Sequence, residues 1–324
     1  MPHPTRRALI AALPLLAAPA ALRAQAPGRP VRAVVPFPPG GGVDVFARPF
    51  AVALAAALGQ PVVIENVGGA SSRIGNGTVA RAAGDGATLL VTNDTLAAVE
   101  ALPAPGAAPV LPQLAPVLLA ASSPHVIVTH PRSGFRTVTD YAARVRDPAR
   151  RPNIALPGLG TAHHFASALF DGAVGGRAEP VPYRGGGPAI ADLLAGTVDA
   201  SLVTLGMVVP HIREGRLIGL AVTSATRAAA VPEVPTVAET VAPGFDVTTW
   251  MGVLAPAATP PAALARLHAA GRTALEDATL RERLASLGFE PAGAGPEEFA
   301  ALLRSTVERF AAVVPAAGIR AEDA

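Results

Sequence analysis

Short β-branched and leucine-rich runs alternate along this chain with stretches whose apolar residues recur every three or four positions. Residues 31–35, 62–65 and 88–92 read as strands, and residues 43–58 and 74–82 between them read as helices. That order predicts βαβ units on a parallel sheet. After a proline-rich connection at 102–116 the pattern resumes, with strands at 126–129, 153–156, 179–181, 200–204 and 218–222 and helices near 138–145, 162–170, 189–194 and 208–214. A last strand at 247–254 precedes helices at 261–275, 280–287 and 297–314, the final one opened by Gly295-Pro296-Glu297-Glu298 with acids in its first turn. The expected fold class is α/β: two units, each a mostly parallel sheet flanked by helices, and a helical tail able to return to the first. Ligands of such folds lie at the carboxyl ends of the strands.

The junction of the first strand and helix is the most informative stretch. Val34 and Val35 favour strand, Pro36, Pro38 and Pro39 stop it, and Gly40, Gly41 and Gly42 permit backbone angles that side-chained residues avoid. Val43, Phe46, Phe50, Leu54 and Leu58 then keep helical spacing, so unpaired N–H groups face the turn. Such a corner attracts carboxylate or phosphate. The turn lacks the G-x-G-x-x-G order of dinucleotide sites. Asp44 is placed either to cap the helix or to cap it and also meet a ligand.

Two further strand-end turns repeat this logic. Leu156-Pro157-Gly158-Leu159-Gly160-Thr161-Ala162-His163-His164 places Thr161 as a helix N-cap with His164 three residues on. Adjacent histidines project differently from a helix and no third ligand is regularly spaced, so no metal site is expected. Pro182-Tyr183-Arg184-Gly185-Gly186-Gly187-Pro188 opens another helix, where Tyr183 walls a cleft or covers sheet. Thr92-Asn93-Asp94-Thr95 offers short polar groups or an Asx-type turn.

Composition narrows the chemistry. All 26 basic residues of the 324 are Arg, and cysteine is absent. Without Lys there is no P-loop, Schiff-base or kinase chemistry, and without Cys no disulfide or thiolate site. No Gly-x-Ser-x-Gly elbow is present, and Glu297-Glu298 sits at a helix start, so no catalytic residue and no cofactor is expected. The features favour binding over turnover.

The N-terminus reads as an export signal: Arg6 and Arg7, an apolar stretch over residues 8–22, then Ala24-Gln25-Ala26 as a cleavage site. Thr5-Arg6-Arg7-Ala8-Leu9-Ile10 is similar to a twin-arginine signal, with an ordinary secretory signal as the alternative. The expected destination is the periplasm. Removing residues 1–26 takes Arg6, Arg7 and Arg23 with no acid, leaving 23 basic against 24 acidic residues and a charge of −1. That balance gives no support to a nucleic-acid partner.

The chain resembles the exported solute-binding proteins of tripartite tricarboxylate transporters, the Bordetella uptake gene family. The segments that carry the likeness include Val34-Val35-Pro36-Phe37-Pro38-Pro39-Gly40-Gly41 with Asp44, Leu58-Gly59-Gln60-Pro61-Val62-Val63-Ile64-Glu65-Asn66, Gly160-Thr161 with His164, Val181-Pro182-Tyr183 with Gly185, and Val234-Pro235-Thr236-Val237-Ala238-Glu239. The resemblance implies a two-lobed periplasmic-binding-protein fold of the type II-like class with two crossovers. Lobe 1 would be 27–127 plus 251–324, and lobe 2 would be 128–250. The ligand would be a small carboxylate, met by Phe37, Pro39, Gly40, Gly41 and Asp44 in the first turn and by Gly158, Gly160, Thr161 and His164 in the second. Tyr183, Gly185, Thr92, Asn93 and Thr204 would complete the site. Departures from the family pattern at Val203-Thr204, Arg73 and Leu159 make one side more apolar and lean away from acidic amino acids. The implied protein is a monomeric receptor partnered by integral-membrane transporter subunits; a ligand-sensing partner of a membrane signalling kinase is the alternative.

Overall fold

The computed structural model describes residues 29–106, 108–317 and 319; the export signal expected at residues 1–26 lies outside them. β1 (Val31–Val35) leads to α1 (Gly42–Leu58), β2 (Val62–Asn66), α2 (Arg73–Ala80), β3 (Thr88–Asn93) and α3 (Thr95–Ala101). β4 (Leu114–Thr129) precedes α4 (Val138–Val145), β5 (Asn153–Leu156), α5 (Ala162–Val174), β6 (Glu179–Pro182), α6 (Gly186–Ala195), β7 (Ala200–Thr204), α7 (Val209–Arg213), β8 (Ile218–Val222) and α8 (Val237–Thr240). β9 (Thr248–Pro256), α9 (Pro261–Glu276), α10 (Ala278–Ser286), β10 (Glu290–Ala294) and α11 (Pro296–Ala317) complete the chain.

Two α/β lobes share one long strand. In the first, β1 pairs parallel with β2 and β3, while β9 runs antiparallel between β3 and β4, and β10 lies antiparallel to β4. In the second, β5 pairs parallel with β6 and β7, and both β7 and β8 lie antiparallel to β4. The parallel character resides in the triplets β2-β1-β3 and β6-β5-β7, and the crossing strands make each sheet mixed. β4 pairs with β9 as far as Pro124 and with β7 from His125 onward. Pro124 has no N–H to donate to a ladder, and the partner changes there. The chain passes between the lobes along β4 and returns along β9.

Each sheet is covered on both faces, the expected state of parallel strands. On β1, Val31, Ala33 and Val35 join one cluster with Phe46, Phe50 and Phe289, and Val34 joins the opposite one with Leu90, Phe299 and Phe310. In the second lobe Ile154 and Leu156 pack with Tyr141 and Phe170, while Ala155 and Val203 pack with Ile190 and Leu193. α11 returns to the first lobe, against α3 and β4, and also reaches the second, where Phe310 stacks on Phe165 of α5 at 4.7 Å between ring centres.

Several elements differ from the sequence reading. The strand expected at 126–129 is the end of the sixteen-residue β4, whose start lies inside the supposed proline-rich connection. α3 follows directly on an Asx turn in which Thr95 N–H donates to Asn93 Oδ1 at 3.2 Å. β10 was not expected, because Pro291 and Gly293 argue against strand; it occupies an edge, where both are tolerated.

Candidate functional site

The turn before α1 is organised from behind by Asp44. Gly40, at φ 79°, donates its N–H to Asp44 Oδ2 at 2.9 Å, and Arg48 Nε donates to the same oxygen at 2.8 Å. Oδ1 accepts from Asn66 Nδ2 at 2.8 Å and Arg48 Nη2 at 2.9 Å, and Asn66 Nδ2 also donates to the Phe37 carbonyl at 3.0 Å. Burial works against the Asp44 charge, but the bonds from Arg48, Gly40 and Asn66 outweigh it and hold the carboxyl below the usual carboxylate range. Its oxygens are therefore committed to the turn. Among the described residues the N–H groups of Gly42, Val43 and Asp44 make no hydrogen bond, and Gly41, Gly42 and Val43 line a cavity between the lobes. These donors sit at the positive end of a seventeen-residue helix.

The turn before α5 has the same construction. Gly160, at φ 66°, donates its N–H to Nδ1 of His164, four residues on, at 3.1 Å, the offset that separates Gly40 from Asp44. Accepting at Nδ1 requires that nitrogen to be unprotonated. Thr161 is the N-cap residue, and its hydroxyl donates to the Gly158 carbonyl at 2.7 Å. Ala162 N–H then reaches Thr95 Oγ1 of the first lobe at 3.3 Å.

The lobes stand close. The inner cavity, bounded by Phe37, Gly41, Asn93, Thr161, His163, Gly185 and Met207 among others, holds about 20 Å³. It shares Phe37, Pro38, Pro157, Thr161 and Gly185 with an outer cavity of about 870 Å³ walled by residues 68–72 and 182–185. A β-carbon on Gly42 would lie 2.6 Å from Thr204 Oγ1, and one on Gly185 would lie 3.1 Å from Pro38 Cγ. Glycine at these positions lets the lobes meet. Ser71 Oγ donates to the Leu159 carbonyl across the mouth at 2.7 Å.

The floor is polar and uncharged. His163 Nε2 lies 3.2 Å from Thr204 Oγ1, and burial lowers the His163 pKa to about 4. The His125 ring stands edge-on to it at 4.9 Å, also held neutral by burial and by its neighbour His163. Asn93 spends Oδ1 on Thr95, and its amide NH₂ makes no bond among the described residues. A site of backbone N–H groups, one amide and neutral imidazole suits an anion that brings its own charge.

Of the residues singled out from sequence, Phe37, Gly41, Asn93, Thr161 and Gly185 line the inner cavity, and Gly158 and Tyr183 line the outer one. Thr204 seals the floor against Gly42. Asp44, His164 and Gly160 lie behind the turns they brace; Pro39 and Gly40 are exposed on the far side of the first turn. Thr92 is buried in the sheet with an unpartnered hydroxyl and lines neither cavity. Tyr183 donates its hydroxyl to Asp192 at 2.7 Å, so only its ring is presented. Arg73 turns away, bonding the Leu102 carbonyl at 2.6 Å. His163, Gly42, Met207 and Ser71 were passed over. The sequence reading treats His163 only as half of a metal pair, whereas its position next to His164, about 100° around the helix, puts it on the cleft side. Among the described residues no three His, Cys, Asp or Glu side chains cluster to hold a metal ion.

Residues 46–319 match the family described as the tripartite tricarboxylate transporter family receptor. The chain belongs to this receptor family. It is 36% identical to the protein BugT of Bordetella pertussis over 296 residues, 91% of each chain. The periplasmic binding protein BugD superposes with a TM-score of 0.84 at 32% identity, covering 91% of this chain and 99% of that one. MatC from Rhodopseudomonas palustris, solved with bound malate, gives 0.83 at 33% identity, covering 89% and 99%. A second R. palustris protein, solved with adipate, gives 0.85 at 29% identity, covering 91% and 99%. As a member of this family the chain is a periplasmic solute-binding receptor and not an enzyme. No helix of the described residues is long and apolar enough to cross a membrane.

Proposed function

We propose that this receptor captures a small organic carboxylate in the interlobe cleft and hands it to the integral-membrane subunits of a tripartite transporter. The observation that carries this reading is the set of unbonded N–H groups at Gly42, Val43 and Asp44, beside an interlobe cavity whose inner lining holds no ionised side chain. One carboxylate of the guest would take these donors together with the Asn93 amide, and Thr161 and Gly185 would close over it from the other lobe. Malate on MatC and adipate on the second R. palustris relative support the ligand class.

A cavity of about 20 Å³ admits little more than a water molecule. Loading would therefore require the lobes to part, with residues 27–127 and 251–324 moving against 128–250 about β4 and β9, and ligand contacts to both lobes would favour the closed state. The mature chain acts as a periplasmic monomer released by its N-terminal signal.

The test is thermal-shift screening of carboxylic acids on the purified mature chain, with native mass spectrometry for a copurified guest. An acid present at one hundred times its Kd should add about 2.7 kcal/mol of stability. If no carboxylate shifts the melt and none copurifies, the reading fails.

A further inference from the structure

A cavity of about 290 Å³ lies between α2, α3 and the segment that follows α3. Among the described residues its lining shares none with the two chambers between the lobes. Its charged and amide groups are Arg73 and Asn76 of α2, Arg81 just beyond that helix, and Glu100 of α3. Arg73, Gly77 and Arg81 are four residues apart and share one helical face. A β-carbon on Gly77 would lie 2.9 Å from Arg81 Nη1, so the missing side chain lets that guanidinium rest against the helix between the two cations.

These groups are under-used by the fold. Half-buried Arg73 gives Nη2 to the Leu102 carbonyl at 2.6 Å, while its buried Nη1 has no partner among the described residues. Burial lowers the Arg73 pKa, and the charge of Glu100 only opposes this. Arg81 is exposed, and its guanidinium makes no hydrogen bond or ion pair among the described residues. Glu100 Oε1 instead accepts from the N–H groups of Val110 and Leu111 at 2.8 and 3.2 Å. Asn76 is fully buried and donates Nδ2 to Ser72 Oγ at 3.0 Å, leaving Oδ1 buried and without a donor. A guanidinium withdrawn from water without a counter-ion and a buried amide oxygen without a donor are both costly.

Two cations, one carboxylate and one open acceptor call for an anion that also carries a hydrogen. Sulfate and simple carboxylates bring the charge without the hydrogen; hydrogen phosphate brings both. We infer that this cavity is a second binding site, for inorganic phosphate, in which Arg73 Nη1 and the Arg81 guanidinium donate to phosphate oxygens and the phosphate hydroxyl donates to Asn76 Oδ1. Nη1 and Oδ1 are shielded in this form, so uptake turns the Arg73 head toward the guest on its flexible stem.

The test is calorimetric titration of the purified mature chain in phosphate-free buffer with inorganic phosphate, sulfate and acetate, repeated on Arg81→Gln and Asn76→Leu, with ¹⁵N–¹H spectra to locate the ion. A hydrogen bond to a charged group is worth roughly tenfold or more in affinity. Phosphate should therefore bind saturably and at least about tenfold tighter than sulfate or acetate. Arg81→Gln should weaken phosphate about tenfold without moving the melting temperature of the phosphate-free chain, because Arg81 is exposed and unbonded. Asn76→Leu should erase the preference for phosphate over sulfate. The amides of residues 73–81 should shift on binding, while those of Gly42, Val43 and Asp44 stay in place. No phosphate binding, equal binding of sulfate by the native chain, native affinity in Arg81→Gln, or shifts centred on Gly42 to Asp44 would each overturn the inference.

Discussion

Ser71 Oγ donates to the Leu159 carbonyl at 2.7 Å, joining the loop before α2 to the loop before α5 across 88 residues of sequence. Ser71 occupies an unusual stretch: Gly69, Ala70, Ser71 and Ser72 take φ of 130°, 46°, 48° and 80° in succession. Side-chained residues in this region cost roughly 1–2 kcal/mol each. Asn76 Nδ2 braces the loop by donating to Ser72 Oγ at 3.0 Å. The strained loop holds a hydroxyl over the cleft, where it ties the loop before α2 to the loop before α5.

Ser71→Ala removes that fastening and leaves each lobe's core untouched. One neutral hydrogen bond is worth about 0.5–1.5 kcal/mol net, so the variant should bind its acid roughly two- to tenfold more weakly, mainly through faster release. Stopped-flow dissociation and the melting curve of the ligand-free chain separate this outcome from a general loss of stability.

Gly42→Ala separates closure from folding. The residue is the first of α1, where alanine is locally acceptable, but its β-carbon would lie 2.6 Å from Thr204 Oγ1 across the cleft. The expected outcome is an unchanged or slightly raised melting temperature without ligand and at least a tenfold loss of affinity. A variant that closes and binds normally would show that Gly42 and Thr204 do not meet during capture.

Asp44→Ala acts on the turn itself, because the carboxylate holds Gly40, Arg48 and Asn66. Charged hydrogen bonds in a partly buried site contribute about 1.5–3 kcal/mol, so stability and affinity should fall together, whereas removing a pure ligand contact would lower affinity alone. The folded pKa of Asp44 lies below the ordinary aspartate value of 3.8. Its contribution is fully present above that value and is lost as pH falls through the folded pKa. In denaturant titrations the stability gap between native and Asp44→Asn chains should narrow as pH falls from 6 to 3.

His163 and Asp94 set opposing pH slopes. His163, lowered to about 4 from 6.5, stays neutral in the folded chain while the unfolded chain takes up a proton, so stability rises with pH between about 4 and 6.5. Asp94 is raised to about 7 by burial, which exceeds the lowering by the Thr249 hydroxyl and by Arg309. The folded chain keeps the Asp94 proton that the unfolded chain releases, so this group's contribution is full below pH 3.8 and is lost as pH rises toward 7. His163→Gln should therefore remove stability gained from pH 4 to 6.5, and Asp94→Asn should remove stability lost from pH 4 to 7. Denaturant unfolding across that range reads both slopes.

Local patterns were legible where local forces decide. β1, the proline-glycine turn and α1 were read nearly to their ends, because prolines stop the strand, glycines make the turn and Phe46, Phe50 and Leu54 keep one helical face. β4 was not legible, since Pro116 and Pro124 interrupt its propensity and its partner β9 is supplied by residues more than a hundred positions later. At the site, glycine turns and a threonine N-cap advertised themselves. The roles of Asp44 and His164 as braces, and of His163 as floor, depend on which side of each helix the other lobe covers. Sequence spacing does not carry that information.

Capture as proposed requires the backbone N–H groups at the start of α1 to hold the guest's carboxylate. The most direct measurement is a ¹⁵N–¹H correlation titration of the mature chain with the tightest-binding acid from the screen. The amides of Gly42, Val43 and Asp44 should move downfield together and saturate with the binding curve, while Gly40, already bonded to Asp44, moves least of the turn. Saturable binding that leaves those three amides in place and shifts a different surface would contradict it.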